Sequence, residues 1–129
     1  MMLRYFDPPG LAPGATYSHG AIVPGGMRLA TIAGQVGNRP DGSVVEGFEA
    51  QVEQAFGNLF AALADIGMAR EDLVRINVYM TDRADVAAYE RVFARRMGPV
   101  KPPDTLLIVA GLARAEYRFE IDAWAAKAD

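Results

Sequence analysis

The sequence contains no cysteine and a single histidine, His19. Without cysteine there is no disulfide framework, thiolate nucleophile, zinc ribbon or iron–sulfur cluster, and one imidazole removes most histidine-based metal sites. No run approaches the roughly 18 consecutive apolar residues of a membrane-spanning helix. Positive charge is short as well: 13 Lys and Arg stand against 16 Asp and Glu, a net charge of −3. The pI near 5.1 has the wrong sign for the basic footprint of a nucleic-acid binder, so no nucleic-acid partner is expected. Met1–Gly10 lacks the apolar core of a signal peptide and carries Pro8-Pro9 where a signal helix would continue. It therefore predicts neither secretion nor an anchor, and a cytoplasmic protein. What remains is an ordinary globular composition, 51% hydrophobic and 22% charged over 129 residues. That is the size of one domain spanning residues 1–129.

Along the chain, Gly10–Gly14 reads as an irregular lead-in, with a first strand starting near Ala15 and Tyr17 at its beginning. Val23-Pro24-Gly25-Gly26-Met27 has tight-turn chemistry and predicts a hairpin of Ser18–Val23 with Met27–Ala33. Gly34 through Gly42, rich in Gly with one Pro, predicts a loop. Between Glu46 and Ile66 the residues Phe48, Val52, Ala55, Phe56, Leu59, Leu63 and Ile66 recur at helical spacing, with Gly67 as the stop. From Leu73 to Met80 the chain alternates, with Val74, Ile76, Val78 and Met80 on one face and Arg75, Asn77 and Tyr79 on the other. A second helix runs from about Arg83 to Met97 and ends before Gly98-Pro99. Thr105–Ala110 is apolar on both faces, the pattern of a central strand. The last strand sets Tyr117, Phe119, Ile121 and Ala123 against Arg118, Glu120, Asp122 and Trp124.

The order ββαβαββ predicts an α+β fold with two helices packed on one face of a mixed sheet. The opposite face would carry Arg75, Asn77, Tyr79, Arg118, Glu120 and Asp122 among apolar residues. A face of that kind is usually covered, which predicts self-association and ligand pockets between subunits. Glu120 sits mid-strand on that face, where a carboxylate needs either an ion-pair partner, such as Arg75 or Arg118, or a chemical task. Ser18 and His19 point to opposite faces if they lie in a strand, so no Ser/His relay is expected and His19 reads as a structural residue. Asp104 follows two prolines as an ordinary strand-start residue. Gly34-x-x-Gly37 leads into a turn rather than a helix, so it is not a phosphate loop.

Several of these segments together resemble the RidA (YjgF-like) family of enamine/imine deaminases. They are Tyr17-Ser18-His19-Gly20, Ile32-Ala33-Gly34-Gln35-Val36, Gln51-x-x-Gln54-x-x-x-Asn58-Leu59 and Gly67. Leu73–Asp82, Pro102-Pro103 and Phe119-Glu120-Ile121-Asp122-Ala123 complete the set. The resemblance implies a chorismate-mutase-like fold, a homotrimer with pockets at the subunit interfaces, and hydrolysis of small reactive enamines and imines without any cofactor. It implies that Glu120, with the backbone carbonyl of Leu106, positions the attacking water, and that Tyr17 and Gly34 line the pocket. Where the family places an arginine for the substrate carboxylate, this chain has Asp104. An Asp there would change substrate charge preference, pair with Glu120 as an acid/base couple, or be replaced in function by Arg28, Arg75 or Arg114. The alternative is a non-catalytic protein of the same fold that binds a small metabolite. A ribonuclease reading is disfavoured by the acidic pI.

Overall fold

The computed structural model describes residues 2–129. Eight elements follow one another: β1 (Arg4–Phe6), β2 (Gly20–Ile22), β3 (Arg28–Val36), α1 (Phe48–Asp65), β4 (Leu73–Met80), α2 (Val86–Met97), β5 (Asp104–Ile108) and β6 (Phe119–Lys127). Short 3-10 turns lead into β4 and α2. The main sheet has the order β3-β6-β4-β5, with β4 and β5 parallel and the other pairs antiparallel. Both helices pack on one of its faces, as the sequence predicts.

The predicted hairpin does not form. The turn at Val23–Met27 is present, but β2 pairs with β1, while β3 goes to β6 in the other sheet. Strand β1 lies ahead of the Gly10–Gly14 lead-in, in a stretch where the sequence pattern predicts no strand. Its Phe6 ring lies over Gly20, where a Cβ would approach ring carbons at 2.3 Å, and Tyr5 Oη donates to the Leu73 carbonyl at 2.6 Å. Tyr17–His19 are consequently irregular backbone, not the start of a strand.

The α1 stripe folds as its spacing demands, burying Phe48, Val52, Ala55, Phe56, Leu59 and Leu63. A Schellman motif closes the helix: Met68 N–H reaches the Leu63 carbonyl at 2.9 Å and Gly67 N–H the Ala64 carbonyl at 3.1 Å, with Gly67 at φ 74°. The other side of the core comes from Tyr89, Val92, Phe93 and Met97 of α2 and from Leu73, Ile76, Val78, Met80, Phe119, Ile121 and Ala123 of the sheet. In β4 a register irregularity between Leu73 and Arg75 lets Leu73 take the buried position that strict alternation assigns to Val74.

Two further expectations are corrected. Strand β5 is an edge strand, not a central one, and its apolar side chains stay partly uncovered, Leu107 48% exposed on the open face and Ile108 38% exposed on the other. The strand β3 continues through Gly34 to Val36 where a loop was predicted. It does so because a bulge absorbs the extra residue: Ile32 pairs with Ala123 and Gln35 with Ile121, so Ala33 and Gly34 together oppose Asp122.

Candidate active site

The uncovered face of β4 and β6 holds a connected set of polar side chains. Arg75 Nε donates to Asn77 Oδ1 at 3.1 Å, and its Nη2 to Thr105 Oγ1. The amide of Asn77 donates to Asp122 Oδ1 at 2.7 Å and the Tyr79 hydroxyl to Asp122 Oδ2 at 2.8 Å. The Tyr79 phenol is pushed above its ordinary pKa chiefly by that hydrogen bond to Asp122, which keeps it a donor.

Glu120 stands two residues from Asp122 on the same face, paired across the ladder with Tyr79. Its carboxylate lies over Gly34: a Cβ on Gly34 would fall 1.8 Å from Glu120 Oε2. Among the described residues it has neither an ion-pair nor a hydrogen-bond partner. Desolvation, and then the nearby Asp122 charge, raise its pKa. Glu120, Asp122 and Tyr79 form one wall of a cleft of about 270 Å³ whose other side is Val109, Gly111 and Leu112.

Because the obstacle to a Cβ at Gly34 is the end of a flexible side chain, and the glycine is not at positive φ, Gly34→Ala should displace the carboxylate rather than unfold the chain. We expect a stability change within about 1 kcal/mol by chemical denaturation. Loss of at least about tenfold in any activity that depends on Glu120 placement should accompany it.

The other sequence-predicted residues lie elsewhere. Asp104 pairs with Ile76 and shares with Leu106 the face the helices cover. It is therefore two strands and three residues from Glu120, on the opposite side of the sheet, a Cα separation of roughly 14 Å. The proposed Asp104–Glu120 couple is absent from the protomer. Asp104 Oδ1 is buried without a partner, as is the Tyr89 hydroxyl, and burial lifts the Asp104 carboxyl to about 7 from 3.8.

That shift has a stability consequence. Between pH 4 and 7 the native chain keeps a proton the unfolded chain has released, so the native state loses ground as pH rises through this window. Asp104→Asn should match wild type near pH 4 and exceed it by of order 4 kcal/mol at pH 8. Paired guanidinium titrations check it; a difference that does not grow with pH would contradict the assignment.

Tyr17 packs edge-to-face on His19 with ring centroids 5.4 Å apart and does not line the cleft. Its neighbour Ser18 donates to the Lys101 carbonyl at 2.6 Å, which ties this segment to the entrance of β5. His19 Nε2 meets the Ala12 carbonyl at 2.6 Å, so Ser18 and His19 serve separate structural contacts. Leu106 turns its side chain to the core. Its backbone points off the free edge, because residues 103 and 109 make the ladder bonds to Ile76 and Met80 and alternate residues face away. Arg118, expected beside Glu120, precedes β6 and swings to the helix side. There it bonds Asp85 at 2.7 Å and lies 5.4 Å over the Phe48 ring.

Of the arginines, Arg28 is paired with Asp129 and Arg114 with Glu116. Arg75 carries no carboxylate but leans to Thr105, outside the cleft. The missed contributors are Gln51 and Asn58. Gln51 Nε2 donates to the Val45 and Glu116 carbonyls, and its Oε1 accepts from Arg118 N–H. Asn58 Nδ2 clamps the Val36 and Asn38 carbonyls. Both fix the ends of the strands that carry Gly34 and Glu120, and their helical spacing in α1 was the signal.

Residues 9–127 match the family described as endoribonuclease L-PSP. The chain belongs to this family. It is the RidA (YjgF-like) group that the sequence resembles, and solved structures agree. A Rid family protein of unknown function, YyfB from Yersinia pestis, superposes with a TM-score of 0.88 at 29% identity, covering 98% of this chain and 100% of that one. RidA from an Antarctic Psychrobacter gives 0.73 at 32% identity over 88% and 90% of the two chains. A RutC family protein of Aquifex aeolicus is 46% identical over 52 residues, 40% of this chain and 42% of that protein. Among the described residues no helix is long and apolar enough to cross a membrane.

Proposed function

We propose that this family member hydrolyses small reactive enamines and imines to carbonyl compounds and ammonia in the cytoplasm, with Glu120 handling the water. The observation that carries the reading is Glu120 itself: a partly desolvated carboxylate on a cleft wall, unpaired, with Gly34 leaving space for it. A carboxylate of raised pKa is suited to accept a proton from water and return it to nitrogen near neutral pH. Water adds to the C=N carbon, its oxygen forming the new bond while the π electrons move to nitrogen. The proton it loses passes through Glu120 to that nitrogen. The carbinolamine's hydroxyl proton then passes through Glu120 to the amino nitrogen, the C–N bond breaks as the C=O bond forms, and imine plus water becomes carbonyl plus ammonia. These steps need only an oriented carboxylate and a hydrogen-bond acceptor for the second water proton.

The Leu106 carbonyl is the acceptor implied by the resemblance, and in the protomer it points off the β5 edge, away from Glu120. The two converge only if another copy seats against that edge. We therefore infer a homotrimer with the cleft completed between subunits. The exposed Leu107, Trp124 and Leu29 fit a face covered by association. A solution mass three times the 13.9 kDa chain is expected, and a stable monomer would remove the shared pocket.

The activity test couples an amine or amino-acid oxidase, which generates the imine, to semicarbazide, which traps whatever survives. Less semicarbazone in the presence of the protein supports hydrolysis. Unchanged trapping with bound small molecule would instead leave a metabolite-binding protein.

A further inference from the structure

We propose that Asp122, rather than Asp104, sets the charge of the substrate, and that the cleft takes cationic iminium ions lacking a carboxylate in preference to imino acids. The inference rests on the Glu120 reading above and names the substrate class of that same site.

Asp122 and Glu120 project from one face of β6, two residues apart and roughly 7 Å along the strand, and both line the cleft. Asp122 is not free to turn away. Its two oxygens are held by the Asn77 amide and the Tyr79 hydroxyl at 2.7 and 2.8 Å, and Asn77 is itself oriented by Arg75. Those donors fix the carboxylate without neutralising it, since both are uncharged. The remaining wall, Val109, Gly111 and Leu112, carries no side-chain charge.

Among the described residues no cation lines the protomer's side of the cleft to offset the two acids. Arg28 and Arg114 are consumed by Asp129 and Glu116, and the Arg75 guanidinium is occupied by Asn77 and Thr105. A protonated imine brings a positive nitrogen to this wall, where two carboxylates favour it. An imino acid brings an anion that both repel. Within the protomer Asp104 lies on the helix-covered face, away from this wall.

The test uses two imines that differ only by a carboxylate at the reacting carbon: propan-1-imine from n-propylamine and a flavin amine oxidase, and 2-iminobutanoate from 2-aminobutyrate and an amino-acid oxidase. Wild type should prefer propan-1-imine by at least about tenfold in kcat/KM. Asp122→Asn should collapse the ratio, mainly through KM, while Glu120→Gln removes both activities through kcat. Tyr79→Phe, which deletes a hydrogen bond but keeps the charge, should retain the preference and controls for local disruption. Preference for 2-iminobutanoate, or an unchanged ratio in Asp122→Asn while Glu120→Gln is still inactive, overturns the inference and leaves the hydrolase reading standing. If neither imine is turned over, n-propylammonium and butyrate are titrated into 15N-labelled protein. Asp122-dependent shifts of the Gly111 and Leu112 amides with the ammonium support the charge assignment. Their absence, or binding of butyrate instead, rejects it.

Discussion

Glu120→Gln should lower kcat/KM for imine hydrolysis by about 10² to 10⁴, the range contributed by a positioned general acid/base. The substitution is nearly isosteric, so the side chain still covers Gly34 and the fold should be retained. Because Glu120 has no ion-pair or hydrogen-bond partner among the described residues, no buried charge is left orphaned by the change. The effect should appear in kcat rather than in KM, as for a group used in the transition state. The pH profile of the wild type should show an acid limb above the ordinary glutamate range, since burial and Asp122 raise this carboxyl, and Glu120→Gln should lack that limb. A variant that hydrolyses imines at the wild-type rate would move the chemistry elsewhere.

The second large effect is on stability. Phe56 is fully buried in α1, and its ring touches four others: Phe60 at 5.9 Å, Tyr89 at 6.5 Å, Phe93 at 6.4 Å and Phe119 at 6.3 Å between centroids. It thus sits where α1, α2 and β6 meet. Truncation removes the transfer energy of a phenyl ring and leaves a cavity whose walls belong to three different elements, so collapse around it is limited. Phe56→Ala is expected to cost about 3 to 5 kcal/mol, read from denaturant midpoints with the slope checked for two-state behaviour. A loss below about 1 kcal/mol would mean that the core repacks around the gap. The neighbouring Phe60, only partly buried in the same helix, should cost distinctly less.

The legibility of this chain in its sequence follows its physics. Helix α1 and the alternation of Phe119, Ile121 and Ala123 against Glu120 and Asp122 could be read because each buries one continuous stripe or face, and periodicity reports burial. Strand β1 could not, because three residues beside two prolines have no period, and their pairing depends on Phe6 finding Gly20. The edge position of β5 was misread for a related reason: an apolar edge strand has the same composition as a central one. Alternation misplaced Arg118 because it lies one residue outside the strand, and Val74 because a bulge inserts there.

At the site, the family pattern led to Gly34 and Glu120, and the structure brings them into contact. It also led to Asp104, which register places on the other face. Asp122 was visible only as one polar residue among several on the open face. Its partners Asn77 and Tyr79 come from a neighbouring strand, and cross-strand register, which one sequence does not specify, makes them a set.

The most direct measurement of the central claim is the decay of a pre-formed imine in a stopped-flow spectrophotometer at increasing concentrations of the protein. Hydrolysis by this chain predicts a rate that rises in proportion to wild-type protein, releases one ammonia per imine lost, and stays at the spontaneous value with Glu120→Gln. Decay at the spontaneous rate at every protein concentration, for cationic and anionic imines alike, would contradict it.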